Sequence, residues 1–165
     1  MEKHSTLLDI IDEISESVDN KHFSIIVFLD LSKACDTIDH QILLNKLNIY
    51  GVRGVALEWF PSYLTGRTQC LAIGDAWSNF SKVTCGVPQR FILGPLLFII
   101  YKNDIVNVST ILKFVLFADN TNLFSSHDNL AKLIENINQE MTKVVNWLKI
   151  NKLSLNIKNS LHFIL

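Results

Sequence analysis

The sequence predicts an α+β domain, a sheet backed by helices on one face. Two observations predict it. Apolar residues recur at helical spacing in several segments, and short runs of β-branched and aromatic residues stand between them, bounded by turn-forming residues. Their order is helix, strand, helices, hairpin, helix, hairpin, helix, strand. No internal repeat or linker interrupts it, so residues 1–165 read as a single domain.

Leu7, Leu8, Ile10, Ile11, Ile14 and Val18 recur three and four apart with acids between them, which predicts an amphipathic helix ending near Asn20. Residues 23–29 form a continuous apolar run of strand length, the pattern of a strand covered on both faces, and Asp30 sits at its C-terminal end. Ser32 or Asp36 can cap the next helix, whose stripe of Ile42, Leu43, Leu44, Leu47 and Ile49 closes at Gly51. A further helix spans Val55–Leu64. Residues 68–84 interleave apolar and polar side chains about a turn at Gly74 and Asp75, which predicts a hairpin. Beyond the turn-rich stretch Gly86-Val87-Pro88-Gln89 a helix runs from about Pro95 to Ile105, with proline admissible in a first turn. Residues 113–117 and 121–124 predict two strands around Ala118, Asp119 and Asn120, whose Asp and Asn suit a tight tip. From Asp128 to about Asn151, Leu130, Leu133, Ile134, Ile137, Met141, Val144, Val145 and Leu148 keep helical spacing, and residues 154–165 predict a last strand or strand pair.

Composition narrows the class. A chain of 165 residues can bury roughly two thirds of its unfolded surface in one domain. Hydrophobic residues make up 48% and charged residues 19%, a globular composition. Lys plus Arg number 15 against 16 Asp plus Glu, so net charge by itself argues against a polyanionic partner. Cys35, Cys70 and Cys85 are far apart, odd in number and without a C-x-x-C pair, which argues against a secreted disulfide framework and for reduced thiols. The polar start Met1-Glu2-Lys3-His4 is unlike an export signal. The most apolar run, residues 91–101, holds a Gly-Pro step and is about half the ~20 residues of a membrane span. The expected location is intracellular, in nucleus or cytoplasm, with no membrane partner. His4, His22, His40, His127 and His162 show no pairing with cysteines at ligand spacing, which argues against zinc, and His40 reads as a helix-start residue. Trp59, Trp77 and Trp147 fall on apolar faces and are expected in the core.

Two carboxylates stand apart on physical grounds: Asp30 at the end of an apolar strand and Asp119 at a hairpin tip. If their strands are neighbours, the carboxylates meet. Hard oxygen ligands on a rigid sheet are how Mg²⁺ is held for nucleotidyl transfer. Pattern alone leaves the alternative open, in which Asp30 ends a strand or starts a turn and Asp119 only makes the hairpin.

Four segments bear on that choice: Phe28-Leu29-Asp30-Leu31-Ser32-Lys33-Ala34-Cys35-Asp36-Thr37-Ile38-Asp39-His40; Gly86-Val87-Pro88-Gln89 with Ile92-Leu93-Gly94-Pro95-Leu96-Leu97-Phe98; Phe117-Ala118-Asp119-Asn120-Thr121; and Trp147-Leu148 with Asn151-Lys152-Leu153-Ser154-Leu155-Asn156 and Lys158. In that order they resemble the four palm motifs of reverse transcriptases of the non-LTR retrotransposon type. Any one is weak, whereas four in register are specific, and the similarity runs from about residue 7 to the C-terminus.

The resemblance implies a reverse-transcriptase palm, an antiparallel sheet backed by helices, working with two Mg²⁺ ions on an RNA template, a DNA primer and dNTP. Asp30 and Asp119 take the places of the metal-binding carboxylates, with the backbone carbonyl of Leu31 beside Asp30. Asn120 stands, degenerate, in the place of the third catalytic acid. Gln89 matches the residue that contacts the incoming nucleotide or template, and Lys158 or Lys152 a proton donor or phosphate contact.

Four positions depart from the family pattern. Asn120 has the shape of a carboxylate without its charge, and its NH₂ cannot ligate Mg²⁺, so the resemblance implies a site one negative charge short. Arg90 replaces a glycine, and Phe91 a small serine. Glycine there permits φ > 0 or close approach to the templating pair, which a long cation cannot imitate; alternatively Arg90 points to solvent and adds a phosphate contact. Cys35 stands where the family has a bulky aromatic under the incoming sugar, so exclusion of a 2′-hydroxyl weakens; alternatively it is a small buried hydrophobe. The resemblance also implies that fingers are largely and the thumb entirely missing, segments that carry much of the basic surface for phosphate backbones. The function implied is an RNA-directed DNA polymerase domain, impaired or inactive in this copy. The alternative is a non-catalytic relic that binds RNA or a protein partner.

Overall fold

The computed structural model describes residues 7–88, 92–117, 120–156 and 160–164. The elements in chain order are α1 (Leu7–Asp19), β1 (Phe23–Leu29), α2 (His40–Ile49), α3 (Val55–Leu64), β2 (Thr68–Gln69), β3 (Ala72–Ile73) and β4 (Ala76–Trp77). There follow β5 (Ser81–Lys82), α4 (Leu93–Lys102), β6 (Lys113–Phe117), β7 (Asn120–His127), α5 (Leu130–Ile150) and β8 (Leu161–Ile164). They divide into two compact units, one of residues 1–32 with 104–165 and one of residues 33–103.

The first unit is an antiparallel sheet in the order β6-β7-β1-β8, against which α1 and α5 pack. Leu29 stands opposite Thr121, Val27 opposite Leu123 and Ile25 opposite Ser125, and all six residues are buried. The other face of β1 is covered less evenly. Phe28 is 37% exposed and Ile26 half-buried, so the continuous apolar run marks a strand with one well-buried face and not two equal ones. Helix α5 lays Leu133, Ile137, Val144 and Leu148 in a buried stripe of three-and-four spacing, and Asn129 caps it by accepting from the Lys132 N–H at 3.1 Å. Leu8, Ile11 and Val18 of α1 stay exposed, so that helix's apolar stripe is only partly used.

In the second unit the side chain of Asp39, rather than Ser32 or Asp36, caps α2, accepting from the Ile42 N–H at 3.0 Å. Residues 34–36 instead make a 3₁₀ turn, which places the cap three residues later. Leu43, Leu47, Leu64, Leu97, Phe98 and Tyr101 form the buried core. Lys46 enters that core because its ammonium donates to the Tyr101 carbonyl at 2.5 Å and lies 5.0 Å from the Tyr101 ring centroid. Helix α4 begins at Leu93, and a 3₁₀ turn at Asn103–Asn107 completes the predicted helical stretch. The 68–84 region is two short ladders, β2 with β5 and β3 with β4, and Gly74 at the tip takes φ +57°. Trp77 on this hairpin is 71% exposed, and Trp59 on α3 47%, against the core expectation for both. Two-residue strands carry no second layer over Trp77, and Trp59 packs locally, stacked on Tyr63 at 4.9 Å.

Candidate functional site at the end of the central strand

Strand β1 has ladder partners on both sides, and Asp30 is the first residue beyond its C-terminal end. On one side lies the β6–β7 hairpin, in which Phe117 pairs with Asn120 and two residues, 118 and 119, connect them. Asp119, one of the two expected metal carboxylates, lies with Ala118 outside the described residues, as do Gln89, Arg90 and Lys158. Leu29 pairs with Thr121, so the next residues along the two strands are Asp30 and Asn120. Pleat alternation puts both on the face of Phe28 and Asn122, opposite the face of Leu29 and Thr121. Asp30 is half-buried and Asn120 exposed. A half-buried carboxylate and an amide oxygen are hard oxygen donors of the kind Mg²⁺ takes. Among the described residues no group of three or more His, Cys, Asp or Glu side chains is placed to hold a metal ion.

On the other side of β1 the partner changes register. Phe28 stands opposite Leu161 and Leu31 opposite Leu155, so three steps on one side answer six on the other. At this irregularity Asp30 is tied down. The Asn156 N–H donates to the Asp30 carbonyl at 2.8 Å, and the Asn156 Nδ2 donates to Asp30 Oδ2 at 2.9 Å. The Asp30 N–H donates to Ser160 Oγ at 3.4 Å. Next to it Leu31 is buried, and the Ser32 N–H donates to the Ser154 carbonyl at 2.8 Å. A cleft of about 200 Å³, lined by Glu13, Glu16, Ser17, Asn20, His22 and Ser126, lies at the opposite end of β1.

In the second unit the continuation of the first motif is locked to the start of the second. The Cys35 carbonyl accepts from the Val87 N–H at 2.9 Å, the Ile38 carbonyl from the Gly86 N–H at 2.7 Å, and the Asp36 carbonyl from the Cys85 thiol at 3.3 Å. The Gly86 carbonyl in turn meets His40 Nε2 at 2.9 Å and accepts from Arg67 Nη2 at 2.8 Å. His40 is the first residue of α2, as its position suggested. Gly86 has φ +81°, and a Cβ there would lie 2.7 Å from the Asp36 carbonyl oxygen, so only glycine fits. Cys35 is half-buried.

Asn156 stands in the fourth motif without a role assigned to it, and Ser160 lies outside the residues the motifs pick out. Asn156 meets Asp30 across 126 residues, a separation at which no local spacing signals a contact.

The chain belongs to the reverse transcriptase (RNA-dependent DNA polymerase) family, whose model matches residues 1–162. Within it the chain is a reverse transcriptase domain of the non-LTR retrotransposon type. It is 32% identical over 98 residues to a probable RNA-directed DNA polymerase from transposon X-element of Drosophila melanogaster, a match covering 58% of this chain and 10% of the relative. It is 30% identical over 97 residues to the RNA-directed DNA polymerase from mobile element jockey of the same organism, covering 54% of this chain and 10% of the relative. The chain thus spans about a tenth of the length of these relatives. Its fold is similar to that of telomerase from Candida albicans, solved in complex with a TWJ fragment of telomeric RNA, with TM-score 0.67 and 14% identity over 96% of this chain and 30% of the telomerase chain. Among the described residues no helix is long and apolar enough to cross a membrane.

Proposed function

We propose that the chain is the palm of an RNA-directed DNA polymerase, built for two-metal nucleotidyl transfer on an RNA template with a DNA primer, and impaired in this copy. The observation that carries the reading is the adjacency of β1, which leads directly into Asp30, and the β6–β7 hairpin, whose two connecting residues include Asp119. The single family match over residues 1–162 spans both units and supports reading them as one domain.

Asp30 and Asp119 would hold Mg²⁺, with the Leu31 carbonyl beside Asp30. When bound, the ions neutralise charge on the α-phosphate and lower the barrier to its attack by the primer 3′-hydroxyl. The new bond joins that oxygen to the α-phosphorus as the bond from the α-phosphorus to the bridging oxygen breaks; the hydroxyl proton passes to solvent, and pyrophosphate leaves. Lys158 or Lys152 supplies a proton or a phosphate contact to the leaving group. Gln89 and Arg90 contact nucleotide or template, and Cys35 lies under the incoming sugar. Asn120 supplies an oxygen but no charge, and loss of even an outer partner of a metal ligand costs ~10–100-fold in affinity or activity.

Primer extension with Mg²⁺ and with Mn²⁺ tests the reading. The Asn120→Asp, Arg90→Gly double variant is expected to extend primer at least about tenfold faster than the parent chain, and adding Asp30→Asn returns it to background. Robust synthesis by the parent overturns the impairment. Extension that survives Asp30→Asn overturns the metal assignment.

A further inference from the structure

Among the described residues, hydrogen bonds of different kinds join Asp30 to Asn156 and Ser160. Two belong to the backbone of Asp30: its carbonyl receives the Asn156 N–H, and its N–H reaches Ser160 Oγ. The first prolongs the strand pairing that the Leu31–Leu155 bridge continues, and the second ends on a side-chain oxygen. The third does not serve the ladder. Asn156 Nδ2 donates to Asp30 Oδ2 at 2.9 Å and so restrains a carboxylate whose terminal torsion is intrinsically broad. An amide is suited to this task because it engages an oxygen without cancelling the charge, whereas a lysine or arginine would compete with a cation. Asn156 is itself held, since its carbonyl accepts from the Ser160 N–H at 3.1 Å and from Ser160 Oγ at 3.0 Å.

We infer that Asn156 is a positioning residue for the Asp30 carboxylate, fixing the orientation in which that group receives a divalent cation. The inference rests on the reading of Asp30 as a metal carboxylate given above. Outer partners that orient a ligand change metal affinity as well as activity, so binding can be read without turnover.

The test is Mn²⁺ binding to the full 165-residue chain, followed by electron paramagnetic resonance below the melting temperature of each variant. Asp30→Ala is expected to abolish binding at the site. Asn156→Ala is expected to weaken it about 10–100-fold, and Asn156→Gln, which carries the amide one methylene further out, to fall between alanine and parent. A merely structural role for Asn156 lowers the melting temperature and leaves the affinity of the folded chain unchanged. Should Asn156→Ala fail to fold, Asn156→Gln and Ser160→Ala carry the test, each with a smaller loss in the same direction. Unchanged affinity in the Asn156 and Ser160 variants, with Asp30→Ala still abolishing binding, overturns the positioning role and spares the metal reading. Absence of Asp30-dependent binding overturns the metal reading and the positioning role with it.

Discussion

Two β regions of similar apolar character meet different fates. Strand β1 runs between β7 and β8, buries Ile25, Val27 and Leu29, and continues into the hydrogen bonds that hold Asp30. Among the described residues the hairpin of the second unit pairs only with itself, through two-residue strands, and leaves Leu71, Ile73, Trp77 and Phe80 exposed at 64–73%. An apolar, β-branched run reports a preference for extended backbone. Burial depends on a partner delivered from elsewhere in the chain, and for β1 that partner is residues 121–127 on one side and 161–164 on the other.

If that contrast is real, substitution should cost most at the centre of the sheet. Leu123 is fully buried and faces Val27 across one ladder and Phe114 across the other, both buried as well. Leu123→Ala is expected to destabilise the chain by about 3 kcal/mol, combining lost transfer energy with the cavity left behind. Urea denaturation followed by circular dichroism measures it. A loss below about 1 kcal/mol would mean that the sheet face is not a packed core.

A smaller effect comes from a charge placed within the same layer. Glu140 is buried on the α5 stripe between Ile137 and Val144. The Lys143 ammonium donates to its Oε1 at 2.6 Å and holds the carboxyl below its ordinary value of 4.5; burial opposes this, and the Ser109 hydroxyl adds to it. Ser109 also accepts from the Ile111 and Leu112 N–H groups, which closes the turn that leads into β6. The folded-state pKa lies below the unfolded one. The stabilisation is therefore complete above the unfolded value and is lost as pH falls through the folded value. Glu140→Gln is expected to cost about 1 kcal/mol at neutral pH, a modest figure because Lys143 is more than half exposed. The gap between parent and variant should close in acid. Urea midpoints at a series of pH values check this, and a gap independent of pH would remove the carboxylate from the account.

How much was legible in the sequence follows the same division between local and distant causes. The helical spacing of Leu133, Ile137, Val144 and Leu148, the turn at Gly74 and Asp75, and the strand that ends at Asp30 are local patterns, and each appears in the fold. The cap of α2 was misplaced because Ser32, Asp36 and Asp39 are all competent acceptors, and only the 3₁₀ turn at Ala34–Asp36 decides among them. The exposure of Trp59 and Trp77 was unreadable because an aromatic at an apolar position looks the same whether or not anything covers it. At the site, Asp30 announced itself as a carboxylate closing an apolar run. Asn156 did not, because its role lies in a contact that only the folded chain creates.

The smallest effect is expected on the hairpin, where the contrast is sharpest. Trp77 pairs with Ala72 across a two-residue ladder and is 71% exposed. Trp77→Thr puts a β-branched residue in place of an aromatic one, both suited to a strand, and removes a large apolar surface from water. The urea midpoint should move by no more than the equivalent of about 0.5 kcal/mol. Self-association at high concentration, followed by light scattering, should fall, since Trp77 is one of four large apolar side chains, with Leu71, Ile73 and Phe80, that this region leaves exposed to recruit other surfaces. A loss of about 2 kcal/mol or more would show that something covers Trp77, and the hairpin would then be a buried element like β1.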